Sequence, residues 1–247
     1  MTKKFTNLHC IYCLGYFENL TKDHVFPESW FPDSTPKGME KWVVPACLKC
    51  NNKLGKIEEA TYNKLALSVT KDEIAASGIS EKIARKYNPS TAKDECNKNR
   101  KIANIRKIIP DLYQADKIPT NAFMKNCGLK ENERDKRIAV FAPFDLLNPF
   151  AEKIFRGLEF KFRNKLIDSN IRKIEKIYLP IGIENIASTE IKQLNNILNA
   201  NGIKVDNGPG FIVRHVVDKY GSSLYHVTIW GKIEILGSVS NKNIVLN

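Results

Sequence analysis

Long apolar runs, nucleotide-binding loops and repeats are all missing from this sequence. No stretch reaches the about 18 consecutive apolar residues that a membrane-spanning helix needs. No glycine-rich phosphate loop occurs, and there is no internal repeat or low-complexity tract. These absences exclude a spanning helix of the usual kind and give no support to nucleotide-dependent chemistry. The hydrophobic fraction of 43% and the charged fraction of 27% are ordinary for a globular protein, so disorder is not expected.

Space for a secretory signal is lacking as well. The first cysteine follows the two N-terminal lysines so closely that the apolar core of a signal peptide does not fit between them. We therefore expect a cytoplasmic protein with reduced thiols and no membrane partner. Two of the six cysteines, Cys96 and Cys127, lie alone in unrelated surroundings, and we interpret both as ordinary free thiols.

The other four cysteines form two Cys-x-x-Cys pairs within the first 50 residues. Two such pairs in one short segment are typical of a structural zinc site, in which four thiolates complete a tetrahedron. The 33 residues between the pairs exceed the roughly 15–20 of a usual zinc ribbon. A longer gap is expected if a hairpin with another task is inserted there. The predicted zinc ligands are Cys10, Cys13, Cys47 and Cys50.

A second set of polar residues is interleaved with these cysteines. Asp23 and His24 lie between the two pairs, and Asn51 follows Cys50 directly. Carboxylate and amide oxygens suit a harder ion such as Mg²⁺, and an imidazole beside them can take a proton from water. The thiols therefore predict a scaffold, and the Asp-His-Asn set predicts chemistry. Asn52 is the alternative to Asn51 if the following helix begins one residue later.

The string CIYC–LTKDHVFPESW–VVPACLKCNNKLG, within roughly residues 8–65, resembles the HNH endonucleases, also called ββα-metal nucleases. The layout is most similar to the zinc-stapled branch that includes phage endonuclease VII. The resemblance implies a treble-clef-like module with structural Zn²⁺ on the four cysteines. It further implies a catalytic Mg²⁺ or Mn²⁺ on Asp23 and Asn51, with His24 as the general base. The sequence departs from the pattern at Trp42, where many relatives carry asparagine.

The activity that the resemblance implies is metal-dependent hydrolysis of phosphodiester bonds, with DNA favoured as the substrate and RNA left open as the alternative. Roles in restriction, phage defence, mobile elements or junction processing are all compatible with it. A chain with one site needs a homodimer, or two visits, for a double-strand cut. Two alternatives stay open. One is a non-catalytic, zinc-dependent nucleic-acid-binding module, for which Trp42 is the argument. The other is a nuclease gated by a ligand at the C-terminal domain.

The pattern of residue types along the chain changes twice, and the fold class that we expect is α+β. The three predicted parts are a zinc-stapled nuclease module at residues 1–67, a basic helical region at 68–136, and a C-terminal α+β domain with a mostly antiparallel sheet at 137–247.

Hydrophobic periodicity predicts the elements that carry the candidate site. Strands are expected at Leu20–Val25 and Trp42–Pro45, followed by a helix at Leu48–Leu67 whose first turn holds Asn51. In the C-terminal part we predict helices at Leu146–Ile167 and Thr189–Asn201, and a meander formed by the last three strands. The strands predicted there are Arg137–Phe144, 173–179, 210–217, 223–230 and 232–239.

The net charge of +12 is unevenly placed, with +1 on residues 1–60, +7 on 61–137 and +4 on 138–247. This division suits an enzyme whose affinity for the phosphate backbone arises outside the active centre, although a solvated helix face is the alternative. Glu58 and Glu59 lie two turns past Asn51 and are expected on the surface, the alternative being that a carboxylate there approaches the metal. The candidate nucleic-acid contacts are the cations Lys53, Lys56, Arg85, Lys86, Arg100, Lys101, Arg106 and Lys107.

Overall fold

The computed structural model describes residues 5–69, 74–114, 138–140, 142–179 and 188–242. Within these ranges the protein is a mixed α+β structure with five α-helices and three antiparallel sheets, which confirms the predicted class. None of the helices in these ranges is long and apolar enough to cross a bilayer.

The N-terminal part is a three-stranded antiparallel sheet followed by a helix. Its strands are β1 (Phe5–His9), β2 (Tyr16–His24) and β3 (Val43–Ala46), with β2 in the centre. Helix α1 (Leu48–Leu65) begins directly after the second cysteine pair starts, with Cys47 as its N-cap. Both predicted strands and the predicted helix are confirmed, β2 being longer than expected because its first half pairs with β1.

The middle part contains two helices, α2 (Ile79–Tyr87) and α3 (Glu95–Ile108). The Asp94 carboxylate accepts a hydrogen bond from the Asn97 amide and so caps α3. A short antiparallel pair follows, formed by β4 (Leu112–Gln114) and β5 (Ile138–Val140). The predicted strand at Arg137–Phe144 is wrong at its end, because Phe144 already begins a helix behind Pro143.

The C-terminal part is a five-stranded antiparallel sheet with a helix on each face. Its helices are α4 (Phe144–Arg163) and α5 (Thr189–Asn201). The strand order is β6-β10-β9-β8-β7, so the last three strands form the predicted meander. β7 is an addition to the predicted set. The strands are β6 (Arg172–Leu179), β7 (Ile203–Asp206), β8 (Phe211–Val217), β9 (Ser223–Ile229) and β10 (Ile233–Asn241).

One hydrophobic core runs from the N-terminal sheet into the C-terminal sheet. Trp30, in the segment after β2, is fully buried and stacks on Phe150 of α4, with ring centroids 4.6 Å apart. The indole of Trp230 donates to the carbonyl of Trp30 at 2.8 Å. Gly157 lets α4 approach the N-terminal sheet, since a Cβ there would lie 2.9 Å from Val25. Helix α4 therefore packs directly behind the end of β2, where Asp23 and His24 lie.

Candidate metal and active site

The four paired cysteines converge on one point. Cys10 and Cys13 lie in the turn between β1 and β2, and Cys47 and Cys50 lie at the start of α1. Their four Sγ atoms all lie within 4.8 Å of one another. This group can hold a metal ion such as zinc, because four convergent thiolates are the usual ligand set of a structural zinc site. His9 stays outside the group, with its Nδ1 2.7 Å from the Leu14 carbonyl.

The backbone around this group favours a thiolate at Cys10. Burial by itself raises the pKa of Cys10, but amides of Cys13 and Cys47 hydrogen-bond to its sulfur, and its pKa lies below the ordinary value. For Cys50 burial prevails and raises the pKa. A cation bound to the group would reverse this, because metal binding requires deprotonated thiols.

Asp23 and His24 are the last two residues of β2. Asp23 is 5% exposed and is held on both sides of its carboxylate. The hydroxyl of Tyr12 donates to Oδ2 at 2.6 Å, and the ammonium of Lys153 lies 3.4 Å from Oδ1. The backbone of His24 pairs with Val43 of β3.

The imidazole of His24 is half-buried, and its surroundings favour the neutral form. Burial lowers the pKa of His24 below its usual value, and the charge of Lys153 lowers it further, while Glu28 and Asp23 act in the opposite direction. A histidine with a lowered pKa is neutral at pH 7 and can accept a proton.

Asn51 lies in the first turn of α1 and contacts the same strand. Its amide nitrogen donates to the Thr21 hydroxyl at 3.0 Å and to the Lys22 carbonyl at 3.3 Å. A carbonyl can accept but not donate, so the nitrogen faces Lys22 and the amide oxygen is left outside these two bonds. Thr21 and Asp23 are two residues apart on β2, which places their side chains on one face of the sheet. Asn51 and Asp23 thus approach from the same side of β2.

This pair fits a hard divalent cation by donor type. Among the described residues Asp23 Oδ1 has no hydrogen bond or ion pair shorter than the 3.4 Å to Lys153, and the Asn51 amide oxygen takes no part in the two bonds made by its nitrogen. Carboxylate and amide oxygens are the ligands that Mg²⁺ and Mn²⁺ take in proteins. Asn51 is thus bonded to β2 directly before Asp23 and His24, the last two residues of the central strand of the N-terminal sheet.

Two further residues are linked to Asp23 by ion pairs: Lys153, which was not predicted from the sequence, and Glu58, for which a surface position was favoured over an approach to the metal. Lys153 of α4 has a completely buried side chain, and its ammonium lies 2.7 Å from Glu58 Oε1 on α1. It also donates to the carbonyls of His24 and Val25. The expected surface position is wrong for Glu58, whose side chain is 16% exposed. It is confirmed for Glu59, which is exposed and pairs with Lys86.

Burial shifts the pKa of the Glu58 carboxyl group. It raises the pKa of Glu58 above the ordinary value, an effect that Lys153 opposes and Asp23 reinforces.

A sequence signal for Lys153 did exist, since it is three residues after Phe150 and four before Gly157, along the buried side of α4. Read alone, such a lysine is indistinguishable from one that borders an apolar face.

A cleft of about 430 Å³ opens between α1 and α2 and reaches Glu58. Glu58, which lines this cleft, also pairs with the buried Lys153. Its lining residues are Ser29, Gly55, Glu58, Glu59, Tyr62, Lys82 and Lys86.

The predicted nucleic-acid contacts differ in whether the structure shows their charged groups bound to other groups of the protein or simply exposed. Lys86 pairs with Glu59 at 2.9 Å, and Lys101 donates to the carbonyls of Arg85 and Asn88, so both ammonium groups are engaged. The other predicted contacts have exposed side chains. They are Lys53, Lys56, Arg85, Arg100, Arg106 and Lys107.

Among the described residues, His215, His226 and Cys96 have other partners or none, and none of their hydrogen bonds or ring contacts joins them to the site. His226 lies 2.8 Å from Glu234, and His215 stacks on Phe162 at 4.2 Å between ring centroids. Cys96 is an exposed free thiol, and Cys127 lies outside the described residues.

No protein-family model, curated protein or solved structure matches this chain. Its function is therefore inferred from the site itself.

Proposed function

We propose that the protein is a metal-dependent endonuclease of the HNH type, which hydrolyses phosphodiester bonds in DNA. One observation carries the proposal. Asp23 and His24 end β2, and Asn51 at the start of α1 donates a hydrogen bond to the Lys22 carbonyl just before them, beside a group of four thiols. Carboxylate, imidazole and amide in this arrangement supply two cation ligands and one proton acceptor.

The division of labour follows from ligand chemistry. The four cysteines would hold Zn²⁺ as the scaffold of a treble-clef-like ββα module, with no part in bond cleavage. Asp23 and Asn51 would hold Mg²⁺ or Mn²⁺, which when bound neutralises charge that develops on the phosphate. These two sets share no residue, so loss of either ion has a distinct signature.

His24 is the residue to which we assign proton transfer. Its neutral imidazole takes a proton from a water molecule that attacks the phosphorus atom opposite the leaving oxygen. The lowered pKa of His24 keeps this base unprotonated at neutral pH. Lys153 holds the peptide of His24 through its carbonyl, so the backbone that carries the base is fixed from both β3 and α4.

The positive charge needed to attract DNA lies mainly outside the site. Residues 61–137 carry +7, and Arg100, Arg106 and Lys107 on α3 are exposed. Contacts between such cations and phosphates release counterions, so binding should weaken steeply with added salt. A homodimer would place two sites on one duplex.

One specific observation favours a second candidate, a zinc-dependent nucleic-acid-binding module without catalysis. The Asp23 carboxylate already has Tyr12 on one oxygen and Lys153 near the other, and Trp42 stands where many HNH enzymes carry asparagine. Trp42 is 8% exposed and packs edge-on against Phe162 of α4, so it serves the core.

Cutting of supercoiled plasmid DNA by the zinc-loaded protein separates the two candidates. We expect nicked or linear product with Mg²⁺ or Mn²⁺ and none without a divalent ion. Asn51→Ala should lose most of this activity, while the neighbouring exposed Asn52→Ala keeps it. Absence of cutting by the wild type, with zinc in place, would favour the binding module. Loss of activity in Asn52→Ala alone would move the ligand assignment by one residue.

A further inference from the structure

A buried lysine lies at the centre of the candidate site. Lys153 is 1% exposed, and four oxygen atoms surround its ammonium group. Two are backbone carbonyls, from His24 and Val25, and two are carboxylate oxygens, from Glu58 and Asp23. An ammonium has three N–H donors, so these four acceptors compete for it.

The two carboxylates share Lys153 unequally. Glu58 Oε1 lies 2.7 Å from Nζ, within the range of a short charge-assisted hydrogen bond. Asp23 Oδ1 lies at 3.4 Å, too far for such a bond. Glu58 therefore draws the ammonium towards α1 and leaves Asp23 Oδ1 with the weaker contact.

Charge explains why such an arrangement matters for a cation site. A buried ammonium is stable when carboxylates and carbonyls replace its water shell. The same ammonium, close to Asp23, repels a divalent ion that binds this carboxylate, and screening is weak inside the protein. The strength of metal binding at Asp23 then depends on how firmly Glu58 holds Lys153.

We infer that Lys153 is the resident cation of this site, that it competes with the divalent metal for Asp23, and that Glu58 limits the competition by holding its ammonium. The inference rests on the proposed function in one respect, the role of Asp23 as a metal ligand. It assigns to α4 of the C-terminal part a direct influence on the site, through a residue that follows His24 by 129 positions.

Opposite shifts in metal affinity test this inference. Mn²⁺ is titrated calorimetrically into the full-length, zinc-loaded protein at pH 8. Lys153→Met should lower the Kd for Mn²⁺ by at least about tenfold, because the competing charge is gone. Glu58→Gln should raise the Kd by a similar factor, because Lys153 then turns to Asp23. Lys161→Met removes an exposed cation from the same helix and should leave the Kd unchanged.

Loss of general stability cannot produce shifts of opposite sign. Zinc content and thermal midpoint are measured on every variant. If Lys153→Met does not fold, a Glu58→Gln protein with wild-type zinc content and thermal midpoint carries the test alone. An equal or higher Kd in Lys153→Met, an equal or lower Kd in Glu58→Gln, or no Mn²⁺ binding by any protein would overturn the inference.

Plasmid cutting on the same samples separates this inference from the proposed function. The expected order of Kd values without any cutting would rule out the nuclease function and support the competition between Lys153 and the metal. Metal-dependent cutting with the same Kd for Mn²⁺ in all variants would support the nuclease function and rule out the competition.

Discussion

The thiol group (Cys10, Cys13, Cys47 and Cys50) and the Asp23 cluster (Asp23, Glu58 and Lys153) are neighbours, yet they are held together in different ways. The thiol group has little core of its own, formed by Cys10, Ala46 and Cys47, with Tyr16 and Leu48 exposed nearby. The Asp23 cluster lies against the main core, and its central ammonium comes from α4. With a metal ion on its four thiols the first region would draw much of its stability from that ion, whereas the second depends on packing between distant parts of the chain.

The largest effect is expected from removal of a zinc ligand. Cys47→Ser takes away a thiolate and alters the N-cap of α1. Structural zinc contributes about 10–16 kcal/mol in small zinc-finger domains, far more than a single packing contact. Zinc content should fall to zero, with loss of helical signal and of plasmid cutting. Cys96→Ser, at an exposed free thiol, is the control. Full zinc loading of Cys47→Ser would show that the thiols do not form the site.

The next largest effect should come from the shared core. Trp30→Ala removes a fully buried ring that packs on Phe150 and Trp230. Such truncations cost about 3–5 kcal/mol. Because this core joins the N-terminal and C-terminal parts, denaturant unfolding followed by fluorescence and circular dichroism should show one shifted transition. Tyr220→Ala, at a side chain 65% exposed, should shift it little. Two transitions, with only one displaced, would show that the parts are separate units.

The acid limit of cutting comes next. Protonation of His24 abolishes its role as base, so the rate falls as the pH drops through its pKa. Burial and Lys153 hold that pKa below the ordinary 6.5. The rate should stay level from pH 8 to about 6.5 and fall below it, by up to about tenfold per pH unit. A pH–rate profile with an acid limb above 6.5, or with none down to pH 4, would argue against His24.

The smallest effect concerns two helical glycines with opposite surroundings. A Cβ at Gly55 of α1 would meet nothing within 4 Å, whereas a Cβ at Gly157 of α4 would lie 2.9 Å from Val25. Gly55→Ala should stabilise the protein by about 0.5–1 kcal/mol, because alanine is the better helix former. Gly157→Ala should destabilise it by forcing α4 away from β2. Thermal unfolding of both variants measures the difference, and equal signs would contradict the close approach.

Local spacing was sufficient to predict the thiol group, because each cysteine pair lies within one turn and both flank the same hairpin. The bounds of α5 were also predictable, since Ser188 caps its start and Gly202 follows its end. Lys153 was not predictable in the same way. Its partners Asp23 and Glu58 lie about a hundred residues earlier, and contacts at that separation depend on how α4 docks on the N-terminal sheet. Glu58 was misplaced for the same reason, because its burial comes from α4.

The most direct test of the account compares His24→Ala with the wild type in plasmid cutting, with zinc content measured on both. We assign zinc to the scaffold and His24 to the chemistry. His24→Ala should therefore keep its zinc and its thermal midpoint, and lose at least about a hundredfold in rate. His9→Ala, an exposed histidine beside the first cysteine pair, should match the wild type in both. A zinc-loaded His24→Ala protein that cuts at the wild-type rate would contradict the account.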